Sequence, residues 1–330
     1  MATNKLLFIG GTGIISSKSV RLAHERGHDV TVLNRGISRI RPLPEGVRSL
    51  VADIRDPRSV RDAIGSEEFD AVAEFAAFTP EHVAGDLDLF EGRAGQYVFI
   101  SSASAYQKPP ASLPITESTP LVNPFWRYSR DKIACEDLLV AAHRDRGLPV
   151  TIVRPSHTYD EAALPTLGGW TDVARMRAGR PVVVHGDGTS LWTLTHSRDF
   201  AVAFVGLLAN PLALGEAYTI TGDHHPTWNQ IYEWIGRAAG VEAELVHVAS
   251  ETIGRVLPEH LDGLVGDKAH SVVFDNSKVK ALVPEFSTTV PYWEGAAQTI
   301  AWYDAHPEKQ VVDVALDAAF DALVAHARYA

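Results

Sequence analysis

This 330-residue sequence predicts an α/β chain, a doubly wound parallel sheet with a smaller mixed lobe toward the C-terminus. Three observations carry that prediction. Short apolar runs alternate with helix-length stretches through the first half, the pattern of strands joined by crossover helices. A glycine turn, Gly10-Gly11-Thr12-Gly13, stands between the first run and the first helix. After Pro155 the rhythm breaks at Pro165, Gly168, Gly169 and Trp170. A hydrophobic content of 45% suffices for a sizeable core.

Taken in order, Lys5 to Ile9 reads as a strand that runs straight into the glycine turn, and so few residues precede it that no leader is expected. Lys18 to Arg26 carries apolar residues at Val20, Leu22 and Ala23 and stops at Gly27, which suits a helix closed by a C-terminal glycine. Asp29 to Leu33 is the second strand, and a third ends before Val51-Ala52-Asp53-Ile54. Phe69 to Phe75 and Tyr97 to Ser101 follow as strands, with a helix near Pro80 to Phe90 between them. Gln107 to Phe125 is irregular and rich in Pro and Ser, as a loop over a site would be. Arg127 onward lacks Gly and Pro and opens a helix; Val150 to Arg154 is a sixth strand. The segments near Ser197 to Leu208 and Ala217 to Thr221 read as a helix and a strand returning to the sheet. The expected division is therefore 1–160 plus about 195–222 for the sheet domain, and 161–194 with 223–330 for the smaller lobe.

A strand, glycine turn, helix and strand within about 35 residues is the Rossmann-type βαβ unit, which seats a dinucleotide pyrophosphate on a helix N-terminus. Its candidate contacts are Gly10, Thr12, Gly13, Ile14 and Ile15. Two positions depart from the fingerprint. Ser16 stands where a third small residue is usual, and the second strand ends in Asn34-Arg35 instead of an acid. Arg35 would take a 2′-phosphate or stack on adenine, which favours NADP over NAD; the bland alternative is a solvated turn residue before Gly36. Asp53 and Ile54 are placed to meet the adenine edge.

Composition excludes several classes. A net charge of −11 argues against nonspecific nucleic-acid binding. No run of 18 apolar residues suggests a membrane span. The single cysteine, Cys135, allows no intramolecular disulfide, fits a reducing, cytoplasmic compartment and reads as packing. No Cys/His constellation suits a metal, and the adjacent His224-His225 before Pro226 read as loop.

Tyr128 and Lys132 stand four residues apart, on one helix face. A phenol is a poor acid or base at neutral pH, and a nearby ammonium favours its ionised form. Ser101-Ser102-Ala103-Ser104-Ala105-Tyr106 leaves the fifth strand as a hydroxyl cluster at the carboxyl edge, where open sheets bind ligands. Together with the glycine turn, these residues resemble the short-chain dehydrogenase/reductase superfamily, in its extended branch of NAD-dependent epimerases and dehydratases, from residue 5 to about 300. The resemblance implies that Ser102 hydrogen-bonds a substrate oxygen and Tyr128 moves the proton. Lys132 would bind the nicotinamide ribose and lower the tyrosine pKa, while hydride passes between a substrate carbon and nicotinamide. Pro155-Ser156-His157 aligns with the segment at the nicotinamide end, and His157, where many members have Asn, touches cofactor or substrate or is structural.

Dehydratases of this branch place an acidic pair after the site Ser/Thr, because elimination needs its own acid and base. Ala103 and Ser104 stand there, so dehydration is disfavoured. Epimerisation of a sugar or sugar nucleotide through a transient ketone comes first, with alcohol/ketone oxidoreduction as the alternative. Gly186 to Leu191 resembles the loop before an arginine that grips a diphosphate, but Leu191-Trp192-Thr193 follows. Trp192 stacks on substrate or caps the core, Phe78 approaches the site mouth, Ser104 is a further substrate candidate, and Arg175, Arg177 and Arg180 are candidate anion contacts or solvated helix-end residues. Asn34-Arg35-Gly36, Thr195 to Asp199 and Ala217 to Gly222 also resemble the chloroplast stem-loop-binding offshoot. An RNA-binding or scaffold role is therefore the reading of another class. The family's usual homodimer is implied by resemblance alone.

Overall fold

The computed structural model describes residues 3–37 and 40–329. Its centre is a seven-stranded sheet whose strands are all parallel. The first half supplies β1 (Lys5–Ile9), α1 (Ile14–Glu25), β2 (Asp29–Asn34), β3 (Arg48–Val51), α2 (Pro57–Ile64), β4 (Ala71–Glu74), α3 (Pro80–Phe90), β5 (Tyr97–Ile100), α4 (Arg127–Arg146) and β6 (Val150–Pro155). Then come β7 (His157–Tyr159), α5 (Trp170–Arg177), β8 (Val182–His185), β9 (Leu194–His196), α6 (Ser197–Leu207) and β10 (Ala217–Ile220). The chain ends in α7 (Trp228–Ala238), β11 (Leu245–Val248), α8 (Ser250–Val256), α9 (Pro258–Gly263), α10 (Ser277–Leu282), α11 (Tyr292–Ala305) and α12 (Val314–Tyr329).

The strand order is β10-β6-β5-β4-β1-β2-β3, so β1 pairs with β2 on one side and β4 on the other. That reversal opens a crevice at the carboxyl ends of β1 and β4, the position at which such sheets take ligands. Alternate residues of β1 serve opposite faces. Leu6 and Phe8 pack with Val20, Phe200 and Phe204, beneath α1 and α6. Leu7 and Ile9 pack with Val60, Val83, Leu87 and Leu139, beneath α2, α3 and α4. Burial on both faces explains why these strands are nearly continuous apolar runs.

The segments expected to return to the sheet do so: α6 packs on α1, and β10 pairs with β6. Several expected boundaries shift, most by one residue, and three have a clear physical reason. The fourth strand is only Ala71–Glu74; Phe69 makes a single bridge to Ala94 and Phe75 lies past its end, since β5 is itself four residues long. α1 begins at Ile14, four residues before the apolar periodicity, because the glycine turn feeds it directly. The strand expected through Thr221 closes at Ile220, where Thr221 turns to Asn276.

A separate aromatic cluster joins Tyr159, Trp170, Trp192, Trp228 and Tyr292 beside the parallel pairs β7/β9 and β8/β11. Arg175, Arg177 and Arg180, offered above as anion contacts, belong to this outer region. Arg175 is 1% exposed and bonds Asp317, Arg177 takes Asp304, and Arg180 takes Asp317 and Asp321. They clamp α5 and the turn after it to α11 and α12 and line neither cavity described below. Among the described residues no helix is long and apolar enough to cross a membrane.

Candidate active site

Two cavities occupy the carboxyl edge of the sheet. The first, of about 450 Å³, is lined by Gly10, Thr12, Asn34, Arg35, Asp53 and Ile54, joined by Arg55, Ala76, Phe78 and His82. Its floor is the glycine turn. Gly10 has φ +79°, and a Cβ on Gly11 would lie 2.8 Å from a Val32 methyl, so only glycine lets α1 start this close to β2. Ser16, the departure noted above, completes the turn: its hydroxyl accepts the Gly13 N–H at 2.8 Å and donates to the Gly10 carbonyl at 2.7 Å. Asn34 Oδ1 accepts the Gly36 N–H at 2.7 Å. Arg35 is exposed beside it. Ile15 lines neither cavity; it packs against the core.

The second cavity, of about 360 Å³, brings Ile14, Ser102, Ser104, Tyr128, Pro155, His157 and Trp192 together. Ser102 leaves β5 in extended conformation and its hydroxyl accepts the Ser104 N–H at 3.2 Å. The Ser104 hydroxyl, 4% exposed, lies 2.9 Å from that of Ser102 and accepts from Ser129 at 2.8 Å. Ser104 therefore buttresses Ser102 while also lining the cavity. Ala103 is buried and carries no acid.

α4 presents Tyr128 and Lys132 on one face, as their spacing predicts. Burial pushes the Tyr128 phenol up, opposed by the neighbouring Ser102 hydroxyl. That reverses the expectation of a lysine-lowered tyrosine. The reason is geometric: Lys132 Nζ donates to the carbonyls of Ala77 and Ile100, each at 2.7 Å, and lies 5.8 Å from the Tyr128 ring centroid. Desolvation lowers the lysine itself to about 8. Phe78 is placed in the first cavity, with its ring 4.9 Å from the lysine nitrogen, and not against the second.

One helical turn beyond Lys132, the buried Glu136 accepts from Ser101 Oγ at 2.5 Å and from Arg154 Nε and Nη2 at 2.5–3.1 Å. Arg154 also donates to the Tyr106 hydroxyl at 3.1 Å. This network ties α4 to β5 and β6 directly under Ser102.

The far wall was invisible to sequence reasoning. Trp126, Asp267, Lys268, Val272 and Phe274 line the second cavity, and all but Trp126 lie more than a hundred residues from the hydroxyl cluster. Asn123 joins the two walls, donating to the Ser104 and Gly266 carbonyls. Asp267 is paired with buried Lys108 at 2.8 Å. Trp126 had a signal, its place two residues before Tyr128. The others had none.

Trp192 caps the aromatic core and also reaches the cavity. It is 3% exposed and packs on Trp228 with ring centroids 5.1 Å apart, yet it also lines the cavity and donates its indole N–H to His157 Nδ1 at 3.1 Å. Cys135 is buried and its thiol is pushed up to about 12 by desolvation, as packing requires.

The model of the NAD dependent epimerase/dehydratase family matches residues 6–221. The chain is 30% identical to 2′-dehydrokanamycin reductase of Streptomyces kanamyceticus over 289 residues, covering 86% of this chain and 80% of the relative. It is 30% identical over 256 residues to the chloroplast stem-loop binding protein of 41 kDa b of Arabidopsis thaliana, covering 74% of this chain and 65% of the relative. A solved UDP-glucose 4-epimerase from Bifidobacterium longum, in complex with NAD+ and UDP, superposes with a TM-score of 0.74 at 20% identity, covering 92% of this chain and 99% of that one.

Proposed function

The chain belongs to the NAD dependent epimerase/dehydratase family, and from that premise we propose that it interconverts a secondary alcohol and a ketone on a sugar-like substrate lacking a nucleotide diphosphate. One observation carries the reading: Ser102 and Tyr128, from different elements, share one wall of a cavity that adjoins the dinucleotide turn. When bound, the dinucleotide supplies the hydride acceptor or donor. Its pyrophosphate would rest on the turn Gly10 to Gly13 and the N-terminus of α1, where no acidic residue opposes it. Asp53 would meet the adenine edge. Asn34 Oδ1 is occupied by Gly36 and Arg35 is exposed at the ribose end, so the pocket favours the 2′-phosphate of NADP. Lys132 has three donors and uses two on backbone carbonyls, which leaves one for the nicotinamide ribose.

Ser102 would hold the substrate oxygen while Tyr128 moves the proton to or from it. A phenol kept protonated by burial suits the reducing direction, in which it donates to the oxygen of a ketone. Dehydration lacks its acid and base at Ala103 and Ser104. The sequence places epimerisation ahead of net oxidoreduction; the cavity supports the opposite order. At about 360 Å³ it is near the small end of ligand sites. Asp267 and Lys268 are its charged lining residues; Asp267 is paired with Lys108, so a diphosphate would meet Lys268 as a single lining cation and no arginine. An epimerase must turn its ketone over within the site while the rest of the substrate stays anchored, and among the described lining residues Lys268 is the one cationic anchor.

Epimerisation remains the second reading, favoured by the fold shared with the UDP-glucose 4-epimerase, because one Ser102–Tyr128 pair serves both outcomes. An RNA-binding role, suggested by the name of the chloroplast relative, is opposed by the net charge of −11. The test is a substrate screen of free sugars, amino sugars and UDP-sugars, read by NAD(P)H absorbance and by deuterium incorporation at carbon. Net absorbance change supports oxidoreduction. Isotope exchange or inversion without it supports epimerisation, and retention of structured RNA on a filter with neither activity would overturn both.

A further inference from the structure

His157 and Trp192 both line the second cavity at positions that depart from the family pattern, and they are bonded to each other. An indole N–H donates and never accepts, so the imidazole nitrogen facing it must be unprotonated. Trp192 Nε1–H meets His157 Nδ1 at 3.1 Å. The proton of the neutral ring is therefore on Nε2. No described residue accepts from that nitrogen, and it is not among the sealed, partnerless nitrogens that His185 Nδ1 and His196 Nε2 exemplify. Its remaining outlet is the cavity that His157 lines with Ser102 and Tyr128.

We propose that His157, locked by Trp192 as the Nε2–H tautomer, is a specificity-determining donor that binds a neutral hydroxyl or ring oxygen of the substrate beside the Ser102–Tyr128 pair. This rests on the reading of the second cavity as the substrate site and adds a substrate class to it: an oxygen-rich, uncharged ring face. Two further features fit. Trp192 is itself held by Trp228, so the indole cannot swing away without opening the aromatic cluster. His157 also resists protonation. Burial pushes it down to about 3, Lys268 pushes the same way, and Asp267 opposes them. A second proton would have to sit on Nδ1, where Trp192 already points its own. The ring is thus a fixed neutral donor through the physiological range, unlike an exposed histidine.

The lock is tested first on the whole protein without any ligand, by long-range ¹H–¹⁵N correlation of the histidine rings between pH 5 and 8. The expected result is an unprotonated Nδ1 and a protonated Nε2 for His157 at every pH, with an Nδ1–H population appearing in Trp192→Phe. A protonated Nδ1, or a His157 that titrates in the native protein, overturns the lock whatever the enzyme turns out to catalyse. Circular dichroism checks the fold of Trp192→Phe and of the second variant, His157→Leu, which keeps an apolar side chain of similar size and removes both ring nitrogens. With the best neutral sugar from the substrate screen, His157→Leu should raise KM roughly three- to ten-fold, the worth of one neutral hydrogen bond, and leave kcat near that of the native enzyme. Unchanged KM for the neutral sugar overturns the donor role. A screen in which no sugar reacts, with the tautomer as expected, would count against the substrate-site reading and leave the lock standing.

Discussion

Tyr128 and Lys132 do different work from what their spacing alone suggests, because each is governed by its own surroundings. Tyr128 stays a phenol through burial. Replacing it with Phe removes the proton source but keeps the ring, so kcat should fall by about 10²- to 10⁴-fold, with dinucleotide affinity by fluorescence unchanged. Full turnover by Tyr128→Phe would remove the tyrosine from the reaction. Lys132 is lowered to about 8 from 10.5 by desolvation. A base so depressed binds fewer protons folded than unfolded between those two values, so its own term in stability rises with pH there. Binding runs the other way. Above about pH 8 the free donor of the ammonium is lost, and dinucleotide affinity should weaken along an alkaline limb near pH 8. Titrating affinity from pH 6.5 to 9.5 checks this; the limb should be missing in Lys132→Met, and a limb of the same midpoint in both proteins would assign it elsewhere.

At the scale of elements, α4 is the piece that must not move, and Glu136 holds it. The carboxylate sits between Ser101 and Arg154 with almost no exposure, so Glu136→Gln leaves the guanidinium buried without its counter-charge. Breaking such a pair costs about 3–5 kcal/mol. Urea unfolding should show that loss, and a change below 1 kcal/mol would mean that water already screens the pair. This element was legible in the sequence for a local reason: no Gly or Pro interrupts it until Gly147, which caps it at φ +70°. The glycine turn was legible likewise, its hydrogen bonds lying within the seven residues Gly10 to Ser16 and its close contact, Val32, on the next strand. The end of the fourth strand was not, since pairing with the short β5 decides where it stops. Asp267, Lys268 and Phe274 were invisible because a π-helical turn at Leu264–Lys268 and the bridge from Ile115 to Phe274 bring them to the cavity. The arginines of α5 and its following turn read as surface charges because their acidic partners lie more than a hundred residues away on α11 and α12.

Across the whole molecule, the sheet side of the crevice is built from local signals, whereas the opposite side is closed by long-range packing, and that packing carries uncompensated charge. Asp172, in the first turn of α5, is fully buried; it accepts the Gly168 N–H at 2.9 Å, while its second oxygen is without a hydrogen-bond partner. Desolvation raises it from 3.8 to about 6. A carboxyl with a raised folded pKa holds its proton longer in the native state, so its contribution is complete below about pH 3.8 and is lost as pH climbs through about 6. A shift of about two units corresponds to roughly 3 kcal/mol, or about 4 °C in Tm for a chain of this size. Asn mimics the protonated form and can reach the Thr166 hydroxyl that lies beside the carboxyl. Asp172→Asn should therefore match the native protein near pH 4 and melt several degrees higher at pH 7.5, the gap opening between pH 4 and 6. Asp86, raised to about 6 by burial on α3, titrates over the same window in both proteins and cancels from their difference. A Tm difference independent of pH would show that Asp172 is ionised throughout, with solvent reaching it behind the aromatic cluster.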